Sequence, residues 1–144
     1  MVAPFPVRPY INKSLPDLAL HEISTLSERT YQASDIDAIR DRIRENLDLV
    51  RERIASAATR ADRSVDDVLL VTVSKTWPSE IVQAAVEVGA CTLGENRVQE
   101  AQTKVPEVDG NPAWHLVGHL QRNKAKIAVE LFDTIQSVDS ARLA

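Results

Sequence analysis

Val68-Leu69-Leu70-Val71-Thr72-Val73 is a β-rich, nearly continuous apolar run, followed at once by Ser74-Lys75-Thr76. Such runs mark strands covered on both faces, as in parallel sheets. A helix is expected over 78–88, with Pro78 near its first turn and Gly89 just past its end. The rhythm then repeats. Cys91-Thr92-Leu93 predicts a short strand and 97–104 a helix. Trp114-His115-Leu116-Val117 predicts a third strand, 123–131 a helix, and 134–138 a fourth strand. Asp139 and Ser140 are then placed to cap one further helix. Strand starts near 68, 91, 114 and 134 are spaced as successive βα units are, and no sequence repeat accompanies the spacing. Right-handed crossovers lay four such strands side by side in chain order. The expected fold class is α/β: the N-terminal half of a (β/α)8 TIM-type barrel, whose full form needs roughly 200 residues or more.

Upstream of the first strand, Ile36, Ile39, Ile43, Leu47, Val50, Ile54 and Ala57 recur at steps of three and four. That is one apolar stripe, so a long amphipathic helix is expected from about 34 to 60. Ser34 and Asp37 are the expected N-cap pair. Residues 1–33 hold four of the seven prolines and no sustained periodicity, and are read as a flexible extension with a short helix near 17–29. The domain proper is 34–144. The N-terminus lacks a basic stretch followed by an apolar core and is not read as a secretory signal.

Composition narrows the function classes. Hydrophobic residues make up 44% and charged residues 26%, an ordinary soluble balance. A formal net charge of -4 gives no electrostatic case for nucleic acid or an anionic membrane. Cys91 is the single cysteine, which excludes an internal disulfide framework and a cysteine metal cluster; a reducing cytoplasm fits. No apolar run is long enough to span a bilayer.

In barrels of this kind chemistry gathers at the C-terminal strand ends. Here those ends carry Ser74-Lys75-Thr76, Gly94-Glu95-Asn96, Gly118-His119, and Ser137 with Asp139. A lysine at a barrel mouth beside apolar strand residues can be partly desolvated, which frees its amine to attack an aldehyde. Its alternative is a head group reaching solvent. Glu95 could orient Lys75 or cap the next helix, and Asn96 could bond a ligand oxygen or cap. His115 and His119 flank a strand-to-loop transition with no carboxylate or thiol cluster attached, so no metal site is assigned. Trp77 and Trp114 are read as packing residues. None of the four glycines belongs to a glycine-rich phosphate loop.

Four motifs stand in order: Val73-Ser74-Lys75-Thr76-Trp77-Pro78; Leu93-Gly94-Glu95-Asn96-Arg97-Val98-Gln99-Glu100; 114–124, from Trp114-His115 through Gly118-His119 to Asn123-Lys124; and Ser137-Val138-Asp139-Ser140. Over 36–144 the chain resembles the pyridoxal 5'-phosphate (PLP) homeostasis proteins, whose barrel is shared with the N-terminal domain of alanine racemase. The resemblance implies that Lys75 holds PLP as a Schiff base and that Asn96 lies beside the cofactor. His115 and Ser137 are further cofactor-binding candidates from the rim. It implies PLP binding in vitamin B6 balance without robust turnover.

Two positions depart from the family pattern: His119 stands where proline is usual, and Gln136 where histidine is frequent. The family's second half, which carries the last four strands and the phosphate cup, is not present in these 144 residues. Three readings follow: a PLP homeostasis protein, truncated or completed by another chain; a PLP-dependent racemase-like enzyme; or a remnant that no longer binds PLP. Racemization needs a second, β-rich domain supplying a tyrosine. Tyr10 and Tyr31 fall in the extension, and Cys91 begins a strand at its wrong end. Four strands cannot close, so an exposed edge, one exposed apolar face and self-association are expected.

Overall fold

The computed structural model describes residues 32–144. The extension expected over 1–33, with its short helix, lies almost entirely outside the described residues. The chain opens with α1 (Ala33–Arg60), then β1 (Thr72–Val73), α2 (Ser79–Glu87), β2 (Thr92–Glu95), α3 (Val98–Lys104), β3 (Ala113–Leu116), α4 (Ala125–Leu131) and β4 (Thr134–Ile135). The four strands form one sheet in the order β1-β2-β3-β4, and all three pairings are parallel. This is the expected α/β arrangement.

α1 starts one residue earlier than expected, and its cap differs. Asp35 Oδ2 accepts the Gln32 N–H at 3.3 Å, so Gln32 and Asp35 form the N-terminal pair rather than Ser34 and Asp37. Asp37 instead pairs with Arg40 one turn on. The apolar stripe runs through Ile43, Leu47 and Ile54 as expected but ends on Ala58, which is buried, while Ala57 and Val50 are exposed. Straight helices of 3.6 residues per turn drift off a fixed stripe, and the buried line shifts by one residue over this length. α1 packs on α2: Arg40 Nε donates to Glu87 Oε2 at 2.8 Å, and Arg51 Nη2 donates to Gly89 O at 2.7 Å. Gly89 takes φ 98° directly after α2, the left-handed termination expected of it.

β1 corrects the opening reading. Only Thr72 and Val73 join the ladder, and Val68 and Leu69 are 39% and 66% exposed rather than covered on both faces. The register gives the reason. Thr72 is level with Leu93, so the residues before Val71 run past the start of β2 at Thr92 and meet no partner strand. β4 is likewise shorter than expected, although Gln136 N still donates to Leu116 O at 2.9 Å. After it, Ser140 O accepts from Leu143 N at 3.0 Å, a single turn at the expected helix start. α4 begins at Ala125, after a tight turn over Arg122–Lys124.

The two faces of the sheet differ. Leu93, Trp114 and Leu116 lie in the main core with Ala101, Ala128 and Phe132 from the helical side. Leu93 and Leu116 are fully buried, and such a side chain contributes about 2 kcal/mol. The opposite face carries Val71, Val73 and Val117, which surround the position where a Gly94 Cβ would stand, at 3.0 to 3.3 Å. Val73 on that face is 47% exposed, so an edge and an apolar surface are open among the described residues.

Candidate functional site

The strand register sets out the site in levels. Val73, Gly94, His115 and Thr134 are level with one another. Side chains alternate along a strand, so Lys75, Asn96, Val117 and Gln136 fall on the same face, one step nearer the C-terminal ends. Lys75 and Asn96 thus stand at neighbouring strand ends on one level. His115 lies one step below them. Ser137 is one residue past Gln136, and alternation assigns it to the other face.

Each candidate has its own setting. Lys75 is exposed, so the expected desolvation by apolar neighbours is not met among the described residues. Asn96 is half-buried. Its backbone fixes its place: a Cβ on Gly118 would stand 2.2 Å from Asn96 O, so the loop after β3 runs against the loop after β2 with only hydrogen between them. His115 is buried, and its Nδ1 lies 2.9 Å from Gln136 Nε2. The Ser137 hydroxyl is buried without a hydrogen-bond partner. Asp139 Oδ2 lies 3.4 Å from His119 Nδ1 in an exposed pair. Among the described residues no group of three His, Cys, Asp or Glu side chains could hold a metal ion.

Glu95 does not orient Lys75. It is fully buried, accepts from Ser74 Oγ at 2.8 Å through Oε1, and pairs through the same oxygen with Lys104 Nζ at 2.8 Å. Its other oxygen, Oε2, is buried without a partner. The Lys104 side chain is only 8% exposed although it stands on a helix, and it also donates to Ser74 O at 2.9 Å. A signal for this was present. Val98, Ala101 and Lys104 recur every three residues, all three on the buried side of α3. Trp114 is a packing residue as read, whereas Trp77 is 44% exposed.

Two clefts open at this end of the sheet. One, of about 520 Å³, lies between the loop after β1 and α3 and includes Thr76, Trp77, Glu100 and Lys104. The other, of about 630 Å³, lies between the loops after β2 and β3 and includes Asn96, Arg97, Gly118, His119 and Lys124. Lys75 borders neither.

A parallel βα sheet in chain order, with a lysine at the C-terminal end of its first strand and polar groups at the ends of the next three, is the arrangement of part of a (β/α)8 barrel. The chain is similar to the pyridoxal phosphate homeostasis proteins, at 36–38% identity over 71–77% of its length. The member from Escherichia coli (strain K12) is 38% identical over 106 residues, 71% of this chain and 45% of its own length. The member from Mycobacterium tuberculosis (strain ATCC 25618 / H37Rv) is 36% identical over 125 residues, 77% of this chain and 48% of its own. PipY, the COG0325 family member of Synechococcus elongatus PCC7942, was solved with PLP bound. It is 45% identical, with a TM-score of 0.53, over 65% of this chain and 44% of its own. An unknown protein from Bifidobacterium adolescentis gives a TM-score of 0.69 at 30% identity, over 83% of this chain and 51% of its own. The chain spans about half the length of the curated relatives it matches. No family model matches it.

Proposed function

We propose that this chain is the PLP-binding part of an intracellular PLP homeostasis protein, with Lys75 as the amine that holds the cofactor. The observation that supports the reading is the level shared by Lys75 and Asn96 at adjacent strand ends. When bound, PLP supplies an aldehyde that condenses with a primary amine, with loss of water, to a Schiff base. Asn96 offers an amide to a ring substituent, and Lys75 is accessible for the condensation. His115, turned to Gln136, supports the face from below. The unpartnered Ser137 hydroxyl is a further polar group at the rim.

The residues fit the cofactor's aldehyde, through the accessible Lys75 amine, better than its phosphate. No glycine-rich loop is present to offer converging N–H groups, so binding is expected to be weak. The reading places the protein in the cytoplasm. It includes neither nucleic acid nor membrane: the net charge is -4, and no described helix is long and apolar enough to cross a bilayer. The open β1 edge and apolar face support self-association.

Borohydride fixation after incubation with PLP, followed by peptide mapping, tests the assignment. The expected label is on Lys75, and Lys75→Ala abolishes it. Label spread evenly over Lys124, Lys126 and the other accessible lysines overturns it.

A further inference from the structure

The short segment that carries Lys75 is held from both ends by the next βα unit. Trp77 N donates to Ser74 O at 3.2 Å, which closes a four-residue turn with Lys75 and Thr76 at its centre. Thr76 takes φ 68°, whereas Lys75 does not have positive φ. That combination is a type II turn, whose third position is ordinarily glycine or asparagine. A β-branched residue in the left-handed region is a steric outlier, and such conformations persist only where the surroundings enforce them.

The enforcing contact is visible. Glu100 Oε2 accepts the Thr76 N–H at 3.1 Å. Glu100 is the third residue of α3, where a carboxylate ordinarily turns back to cap its own helix. Here it reaches across to a turn 24 residues earlier instead. The other end of the turn is fixed at Ser74, between Glu95 Oε1 at 2.8 Å and Lys104 Nζ at 2.9 Å. Lys104 Nζ is also 3.7 Å from Glu100 Oε2, so one buried ammonium links the two carboxylates.

We propose that Glu100 is a positioning residue for Lys75: it holds Thr76 in its left-handed conformation, and the turn fixed in this way sets the direction in which Lys75 leaves β1. This rests on Lys75 being the cofactor amine. The direct hydrogen bond from the turn to Glu100 is from the backbone of Thr76, and Lys104 links Glu100 to Ser74 at the other end, so its effect on Lys75 passes through the turn. Glycine adopts the same φ without steric cost, so it should keep the turn without the carboxylate.

The test uses the 144-residue chain and three variants, Glu100→Ala, Thr76→Gly and the double variant. PLP-dependent labelling of Lys75 under borohydride is timed, and amide hydrogen exchange is followed at Thr76. Glu100→Ala should slow Lys75 labelling about tenfold and speed Thr76 exchange by a similar factor, with the far-UV spectrum unchanged. The double variant should label within about twofold of the original chain, because glycine restores the turn. Lost labelling in Glu100→Ala that Thr76→Gly does not rescue overturns the proposal, as does labelling at the original rate. Absence of Lys75 label in the unmodified chain refutes the cofactor reading itself. In that case Thr76 exchange still decides whether Glu100 holds the turn.

Discussion

Lys104 Nζ and Glu95 Oε1 are 2.8 Å apart, with side-chain exposures of 8% and 0%. A buried pair of this kind is costly to break from one side, because the remaining charge loses its partner in a medium that solvates it poorly. Lys104→Met should therefore lower stability by about 3 kcal/mol in urea unfolding. Adding Glu95→Gln should recover part of that loss, since the orphaned charge goes with it. A single-variant loss below about 0.5 kcal/mol would mean that the pair behaves like a surface contact.

Gly118 is the position least able to accept a side chain. A Cβ there would meet three backbone atoms of Asn96 between 2.2 and 2.8 Å, and backbone cannot swing aside. Gly118→Ala should cost about 3 kcal/mol and shift the Asn96 amide resonance. At Gly94 the nearest atoms are valine methyls at 3.0 to 3.3 Å, which can yield by a few tenths of an ångström. Gly94→Ala should therefore cost about 1 kcal/mol in urea unfolding. A loss as large as that of Gly118→Ala would show that the valines cannot yield.

The His115–Gln136 contact predicts a fixed imidazole. Gln136→Ala should cost about 1 kcal/mol and change the chemical shift of His115 Nδ1 while leaving that of exposed His119 in place. Identical His115 shifts in both proteins would show that the amide is not its partner in solution.

Self-association through the open sheet edge should depend on the exposed apolar residues of the β1 segment. Leu69 is the most exposed of them, at 66%. Leu69→Lys should reduce the apparent mass in concentration-dependent light scattering, since a charge on the exposed apolar segment before β1 opposes its burial against a second copy. A monomer at every concentration in both proteins would remove self-association from the functional reading.

What could be read from the sequence follows the range of the forces involved. The periodicity of α1, the apolar strand runs and the glycine after α2 are local signals, and each led to the right element in the right order. Strand ends were overestimated at 68–71 and 136–138 because their limits are set by where the neighbouring strand begins and stops, which is not local. The same holds at the site. The shared level of Lys75 and Asn96 follows from strand spacing, whereas their part in cofactor binding is what the family resemblance implies. The helical spacing of Val98, Ala101 and Lys104 marks Lys104 as buried, but its partner Glu95 lies across a strand-to-helix crossing and has no local signal. The left-handed Thr76 had no signature at all, since threonine is a poor residue for that conformation and only Glu100 explains it.

Each strand of the sheet is bonded to the one just before it in the chain, at separations of 21 residues from Thr72 to Leu93, 21 from Leu93 to Trp114 and 19 from His115 to Thr134. Loop-closure entropy rises only slowly with length, so three closures of this size cost nearly the same. None requires a segment that has not yet been made. On a ribosome, where the chain emerges N-terminal end first, β1 and β2 can pair while the residues of β4 are still being translated. Assembly can then follow the direction of synthesis, each unit settling on a surface already formed.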